Sequence, residues 1–279
     1  MIDLHLHTTA SDGILDPGAL VARAADAGLT VISVTDHDTL AGIPEAAAAS
    51  RRHGLRLIAG IEITAVERER DVHVLGYFLD PGSDALETFL VAQRADRVRR
   101  VREMAARLAT LGCAVDVDGL LAHAAGSHRS IGRPALADAL VAAGHASDRS
   151  DAFERLLGRG RPAFVPRRGA SGAEVIRVIH AAGGLAALAH PGVLGDDPLI
   201  PGLVDAGLNA LEVWHSDHSP EQVQHYAGMA SRFGLARTGG SDFHGDGVHR
   251  ASRLGGVSLP EAELAALEER AAAAREREP

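Results

Sequence analysis

A chain of 279 residues with 46% hydrophobic content is long enough to bury a full core, and its formal charge of -9 excludes a generally basic, nucleic-acid-coating surface. A single cysteine, Cys113, excludes an intramolecular disulfide framework, and no run is apolar enough to span a membrane, so a reducing, cytoplasmic setting is the expectation. All 28 basic residues are arginine, which excludes Schiff-base or carbamylated lysine chemistry.

In chain order, the first strand, Asp3-Leu4-His5-Leu6-His7, alternates so that His5 and His7 share one face and Leu4 and Leu6 the other; Asp12 follows in the next turn. The start Met1-Ile2-Asp3 has no basic-then-apolar stretch, and His5 stands too near it for a cleavable leader to be expected. Asp16-Pro17 predicts an N-cap and a first helical proline, with the helix closing near Gly28. A strand over 31–34 ends in the polar cluster Thr35-Asp36-His37-Asp38-Thr39. An alanine-rich helix over 44–53 stops at Gly54, and a third strand over 55–61 places Glu62 near its carboxyl end. A fourth strand over 71–78 turns His73 away from Val72 and Val74.

After residue 78 the alternation of strand and helix breaks. A charged helix over 84–111 is followed by helical pieces at 118–124, 134–143 and 148–157, so residues 94–168 are expected to form an inserted helical domain between two barrel parts, 1–93 and 169–279. That insertion holds 14 arginines against 8 acids, a local excess of +6 in an acidic chain. Its arginines at 97, 99, 100 and 102 are expected on a solvated helix face, with Arg161, Arg167 and Arg168 near the second hinge steering an anion. The alternation then resumes. Ser171 with Glu174 predicts a capping box, a strand over 185–189 ends in His190-Pro191, and a strand over 210–213 ends in Trp214-His215. Ser219-Pro220 with Gln222 opens a helix closing at Gly234. A last strand over 235–238 delivers Gly240-Ser241-Asp242-Phe243-His244, and a helix over 261–274 closes the chain.

About seven strands, most followed by a helix and carrying polar residues at their carboxyl ends, predict an α/β fold built as a closed or nearly closed β/α barrel. Such a barrel converges those ends on one pocket, where His5, His7, Asp12, His37, Glu62, His73, His190, Asp242 and His244 are candidate metal ligands. Nine ligands exceed the needs of one ion, so two or three divalent metals are expected. The mix of imidazole and carboxylate favours manganese, iron or zinc over magnesium.

As an ordered set, His5-Leu6-His7, Asp12, Thr35-Asp36-His37-Asp38, Gly60-Ile61-Glu62, His73, Ala189-His190-Pro191 and Gly240-Ser241-Asp242-Phe243-His244 resemble the motifs of the polymerase and histidinol phosphatase (PHP) family. The insertion, with Ser130-Ile131-Gly132-Arg133-Pro134, resembles the subgroup that dephosphorylates nucleoside 3',5'-bisphosphates and trims RNA from its 5' end. The resemblance covers residues 1–256 and implies a distorted seven-stranded barrel holding three metals. One would be shared by the first-strand histidines, Glu62 and Asp242, a second bridged through Glu62 toward His73 and His190, and a third held by Asp12, His37 and His244. Ala135 departs from the pattern the resemblance implies, in which histidine usually follows the Arg-Pro pair.

A water bridging two cations loses a proton near neutral pH and becomes a hydroxide aimed at phosphorus, so no covalent nucleophile is required. Arg133 is the substrate candidate outside the metals, because a guanidinium clamps a second phosphate in bidentate fashion. His215 and His218 are candidates to line the same pocket, and one of Asp36 and Asp38 to fix an imidazole tautomer. No catalytic role is expected of His53, His180 and His225, while His249 follows the last ligands in a glycine-rich loop. The expected partner is a small phosphorylated nucleotide or short RNA end, since 3% aromatic content gives little for a long stacking groove. Histidinol phosphate is the rival substrate. A barrel amidohydrolase and a non-catalytic metal-binding module are the rival classes.

Overall fold

The computed structural model describes residues 1–124, 128–246 and 253–276. His249 lies outside them. Seven strands, β1 (Ile2–Leu6), β2 (Val31–Val34), β3 (Arg56–Glu67), β4 (Arg70–Tyr77), β5 (Leu185–Leu188), β6 (Ala210–His215) and β7 (Ala236–Gly240), follow one another around the sheet in sequence order. Around them run α1 (Pro17–Asp26), α2 (Ile43–His53), α3 (Asp84–Thr110), α4 (Val117–Ala124), α5 (Arg133–Ala142), α6 (Arg149–Ala152), α7 (Gly172–Ala181), α8 (Pro191–Leu194), α9 (Ile200–Asp205), α10 (Pro220–Phe233) and α11 (Glu261–Arg275). Among the described residues no helix is long and apolar enough to cross a membrane.

The sheet is a nearly closed α/β barrel. Its first and last strands meet at their carboxyl ends, where Leu6 bridges Phe243 and the His7 amide donates to the Phe243 carbonyl at 3.0 Å. Asp3, His5 and His7 alternate inward, while Leu4 and Leu6 are fully buried in two separate apolar clusters between strands and helices. The helix ends follow local chemistry. Asp16 caps α1 by accepting from the Ala19 amide, Ser171 with Glu174 and Ser219 with Gln222 form reciprocal capping boxes, and Gly234 ends α10 at φ +64°.

Two expectations are corrected. The third strand does not stop at residue 61 but runs to Glu67, because Ile61, Ile63 and Ala65 continue one buried face and the chain reverses at Arg68 and Glu69, both at positive φ. β4 therefore pairs antiparallel with β3, and β5 antiparallel with β4, so Glu62 sits mid-strand and His73 near the beginning of its own. That reversal brings both to the barrel end where the parallel strands finish.

Helix α3 supplies the second correction. Its buried residues, Leu86, Leu90, Gln93, Arg97, Arg100, Val101, Met104 and Leu108, form a stripe at three- and four-residue spacing. Leu86 and Leu90 pack on the barrel, whereas Val101, Met104 and Leu108 join a separate cluster with Leu136, Leu140, Leu156 and Val165. Arg97 and Arg100 fall on this stripe and are buried; only Arg102 of the four is exposed.

Gly240 sits where β7 approaches β1, and a Cβ there would lie 2.4 Å from both the amide nitrogen and the Cβ of His5. Gly240→Ala is expected to destabilise the fold by about 1–3 kcal/mol through overpacking, read as a lower urea midpoint at an unchanged slope. An unchanged midpoint would show that the barrel seam yields there.

Candidate metal centre

The ligand candidates reach the barrel mouth from several elements. His5 comes from β1 and His7 from just beyond it, Asp12 from the following turn, His37 from the end of β2, Glu62 from β3 and His73 from β4; His190 follows β5, and Asp242 and His244 follow β7. All nine converge. His5 Nε2 and His7 Nε2 each lie 3.3 Å from Glu62 Oε2, and 3.3 and 3.1 Å from Asp242 Oδ1. His37 Nδ1 approaches Glu62 Oε2 at 3.1 Å, His73 Nδ1 approaches Oε1 at 2.7 Å, and His190 Nε2 approaches Oε1 at 3.2 Å. His244 Nε2 and His37 Nε2 flank Asp12 at 3.3 and 3.6 Å. Among the nine candidates, three sets have ligand atoms close enough for one ion each: His5, His7, Glu62 and Asp242; His7, Asp12, His37 and His244; and His37, Glu62 and His73.

These residues fit divalent ions. Two ligands of one ion, each bonded at about 2.1 Å, lie roughly 3.0–3.4 Å apart, the spacing seen across most of these pairs. His5 Nε2, both ring nitrogens of His7, His37 Nδ1, Glu62 Oε2 and His73 Nδ1 are buried without a hydrogen-bond partner, and polar atoms buried in that state need an explanation that a cation supplies. The local field favours positive charge. Burial opposes ionisation of Glu62, yet His37, His73 and His5 hold its carboxyl well below the usual range; burial likewise opposes ionisation of Asp12 and Asp242, and the neighbouring imidazoles hold both well down. In turn, against the opposing effect of burial, Asp242 and Glu62 raise His7 to about 10. His37, buried and facing His7 and His73, falls to about 3 despite Glu62 and Asp12.

The expected tautomer-fixing role of Asp36 or Asp38 falls elsewhere. Asp36 accepts from the Thr8 amide, the Thr8 hydroxyl and the Ser11 hydroxyl, and so shapes the turn that carries Asp12. Asp38 accepts from the Thr64 amide and pairs with Arg97 at 2.5 Å and Arg167 at 3.3 Å. Outside the nine ligand candidates, the carboxylate that meets a site imidazole is Glu212, 2.9 Å from His5 Nδ1, which the sequence reading passed over. Its signal is one acid between Leu211 and Val213 in an otherwise apolar strand.

Asp12, His37 and His73 also line a cavity of about 110 Å³ shared with Arg97, Arg100, Arg133 and Arg167. Asp71 Oδ2 lies 3.3 Å from both Arg100 and Arg133, and Asp38 holds Arg97 and Arg167, so four guanidiniums face two carboxylates. Burial, with crowding by Arg97 and Arg100, lowers Arg167 to about 10 in spite of Asp38 and Asp71. The Arg133 guanidinium stands 5.7 Å from the Phe153 ring centre and 6.0 Å from that of Phe164. His215 and His218 do not line this cavity. His215 Nε2 lies 3.4 Å from Asp242, and the His218 ring is held by the Val213 carbonyl at 2.9 Å and the Gly192 amide at 3.1 Å. Ala135 packs on the insertion cluster instead.

A PHP domain matches residues 3–130. A 5'-3' exoribonuclease of Haemophilus influenzae is 38% identical over 87% of this chain and 89% of its own length. The chain belongs to the PHP family. A second PHP relative, the 3',5'-nucleoside bisphosphate phosphatase of Chromobacterium violaceum, is 36% identical over 88% of each chain. A solved structure described as a metal-dependent phosphoesterase from Bifidobacterium adolescentis superposes with a TM-score of 0.87 at 37% identity, covering 96% of both chains. The PHP chain described here is accordingly a hydrolase of phosphoric esters, and its clusters are those of a metal-dependent enzyme.

Divalent ion at about 100 times its dissociation constant is expected to stabilise the chelated protein by about 2.7 kcal/mol per site, seen as a rise in melting temperature that chelation reverses. Glu62→Ala, which removes a ligand from two of the three sets, is expected to lower the bound-metal count by more than Asp12→Ala does, measured by elemental analysis after gel filtration.

Proposed function

We propose that this protein hydrolyses phosphate monoesters of nucleoside 3',5'-bisphosphates and trims short RNA from the 5' end, using two or three divalent ions with manganese preferred. The observation that carries the proposal is the adjacency of the ligand cluster to the arginine cavity: Asp12, His37 and His73 belong to both. When bound, the ions supply Lewis acidity to the phosphoryl oxygens and lower the pKa of water. The protein's own groups do the rest. Glu62 and Asp242 fix the imidazoles in place, and Arg133 and Arg167 present donors to a second phosphate on the same substrate.

Residues 94–168 act in this proposal as a cap over the barrel formed by 1–93 and 169–279. Its segment beside Arg133 is tied to the barrel where the Ser130 amide donates to the Ala10 carbonyl, Arg129 to the Thr9 hydroxyl, and the Thr39 hydroxyl to the His128 carbonyl. A cavity roofed in this way suits a chain end carrying a terminal phosphate better than the middle of a polymer. The single Cys113 is consistent with a reducing, cytoplasmic setting.

The test is phosphate release from 3',5'-bisphosphorylated adenosine, adenosine monophosphate, histidinol phosphate and a short 5'-phosphorylated RNA, with manganese restored after chelation. Preference for the bisphosphate or RNA is expected. Arg133→Ala is expected to raise KM for the bisphosphate about 10- to 100-fold, the worth of one charge-assisted hydrogen bond, with a smaller effect on the monophosphate. Preference for histidinol phosphate would contradict the reading of the insertion, and no turnover with any ion would favour a non-catalytic metal-binding module.

A further inference from the structure

Glu212 is fully buried on the inner face of β6, directly beneath the ligand cluster, and is none of the nine ligand candidates. Its two oxygens do different work. Oε1 lies 2.9 Å from His5 Nδ1, and Oε2 accepts the backbone amide of His190 at 2.7 Å. His5 and His190 come from opposite sides of the barrel and both approach Glu62, through Nε2 in each case. His190 also holds a strained backbone at φ +27°, a conformation that persists only where its surroundings fix it. His5, Glu212 and His215 have ligand atoms close enough to suggest a further ion site, but the 2.9 Å hydrogen bond already occupies His5 Nδ1.

We infer that Glu212 is a positioning residue that sets both ends of the metal cluster at once, fixing His5 in its Nδ1–H tautomer with Nε2 free for metal, and clamping the strained turn that presents His190. A neutral imidazole carries one proton, so the acceptor at Nδ1 decides which nitrogen can ligate. In the barrel interior Glu212 Oε1 is the acceptor that meets Nδ1. Asp3 gives the β1–β7 seam a parallel tie, its Oδ1 accepting from the His5 amide at 3.2 Å and the Ser241 amide at 2.9 Å, one residue before Asp242.

The inference rests on the metal-centre reading, and the experiment separates the two. Chelated wild-type, Glu212→Gln and Glu212→Asp proteins are titrated calorimetrically with zinc and manganese. Glutamine keeps the shape but turns an amide NH2 toward either His5 Nδ1–H or the His190 amide, donor against donor. Roughly 10- to 100-fold weaker binding is expected in one class of site, with the class held by Asp12, His37 and His244 unchanged and an intermediate loss for Glu212→Asp, which keeps the charge one methylene short. In zinc-loaded wild-type protein labelled with 15N-histidine, an imidazole ligated through Nε2 and carrying a hydrogen-bonded Nδ1–H is expected, whether or not either variant folds. Unchanged affinities in both variants, or no such imidazole in the wild type, would overturn the role of Glu212. A wild-type protein that binds no divalent ion would overturn the metal-centre reading instead.

Discussion

The rest of the structure depends on one buried carboxylate, Glu62, which lies within 3.3 Å of a ring nitrogen from each of His5, His7, His37, His73 and His190. Among the described residues no guanidinium or ammonium pairs with it, and Glu62 itself is buried from solvent. A carboxylate in that position is costly unless positive charge is supplied to it. Divalent ions ligated by the surrounding imidazoles would supply it. The strand arrangement brings six rings and three acids, Glu62 included, together at this one point.

That convergence is bought with local irregularity. His190 and Asp242 both stand at positive φ, as does Asp38, which ties the arginine cavity to the end of β2. None is glycine, so each costs of order 1–3 kcal/mol and must be held by its surroundings. The holders are visible: Glu212 accepts the His190 amide, Asp3 accepts the amide just before Asp242, and the Asp38 amide donates to the Glu62 carbonyl. Buried acids thus serve the centre in two capacities, as ligand candidates and as the anchors of strained ligand backbones.

Much of this was legible in the sequence because local rules govern it. Asp16, Ser171 and Ser219 announce their helices by capping chemistry, and the alternation of His5 and His7 with Leu4 and Leu6 gives the inward face of β1 directly. Two features escaped because they are non-local. The antiparallel β3–β4 hairpin leaves the position of His73 in the site unchanged while reversing its strand, so a ligand pattern alone does not reveal it. Arg97 and Arg100 look like surface residues by type; only their place on the stripe of Leu90, Gln93 and Met104 marks them as buried, and only tertiary packing supplies Asp38 and Asp71 as their partners. Glu212 illustrates the same limit, since its importance lies in which ring it meets across the barrel.

The central claim, that Glu62 sits between divalent ions, is tested most directly by anomalous diffraction from crystals of this protein soaked in manganese and recorded near the metal edge. The account predicts two or three peaks around the Glu62 carboxylate, with one flanked by His5, His7 and Asp242 and another by Asp12, His37 and His244. Crystals that diffract well after soaking and show no anomalous density within the histidine cluster would contradict it.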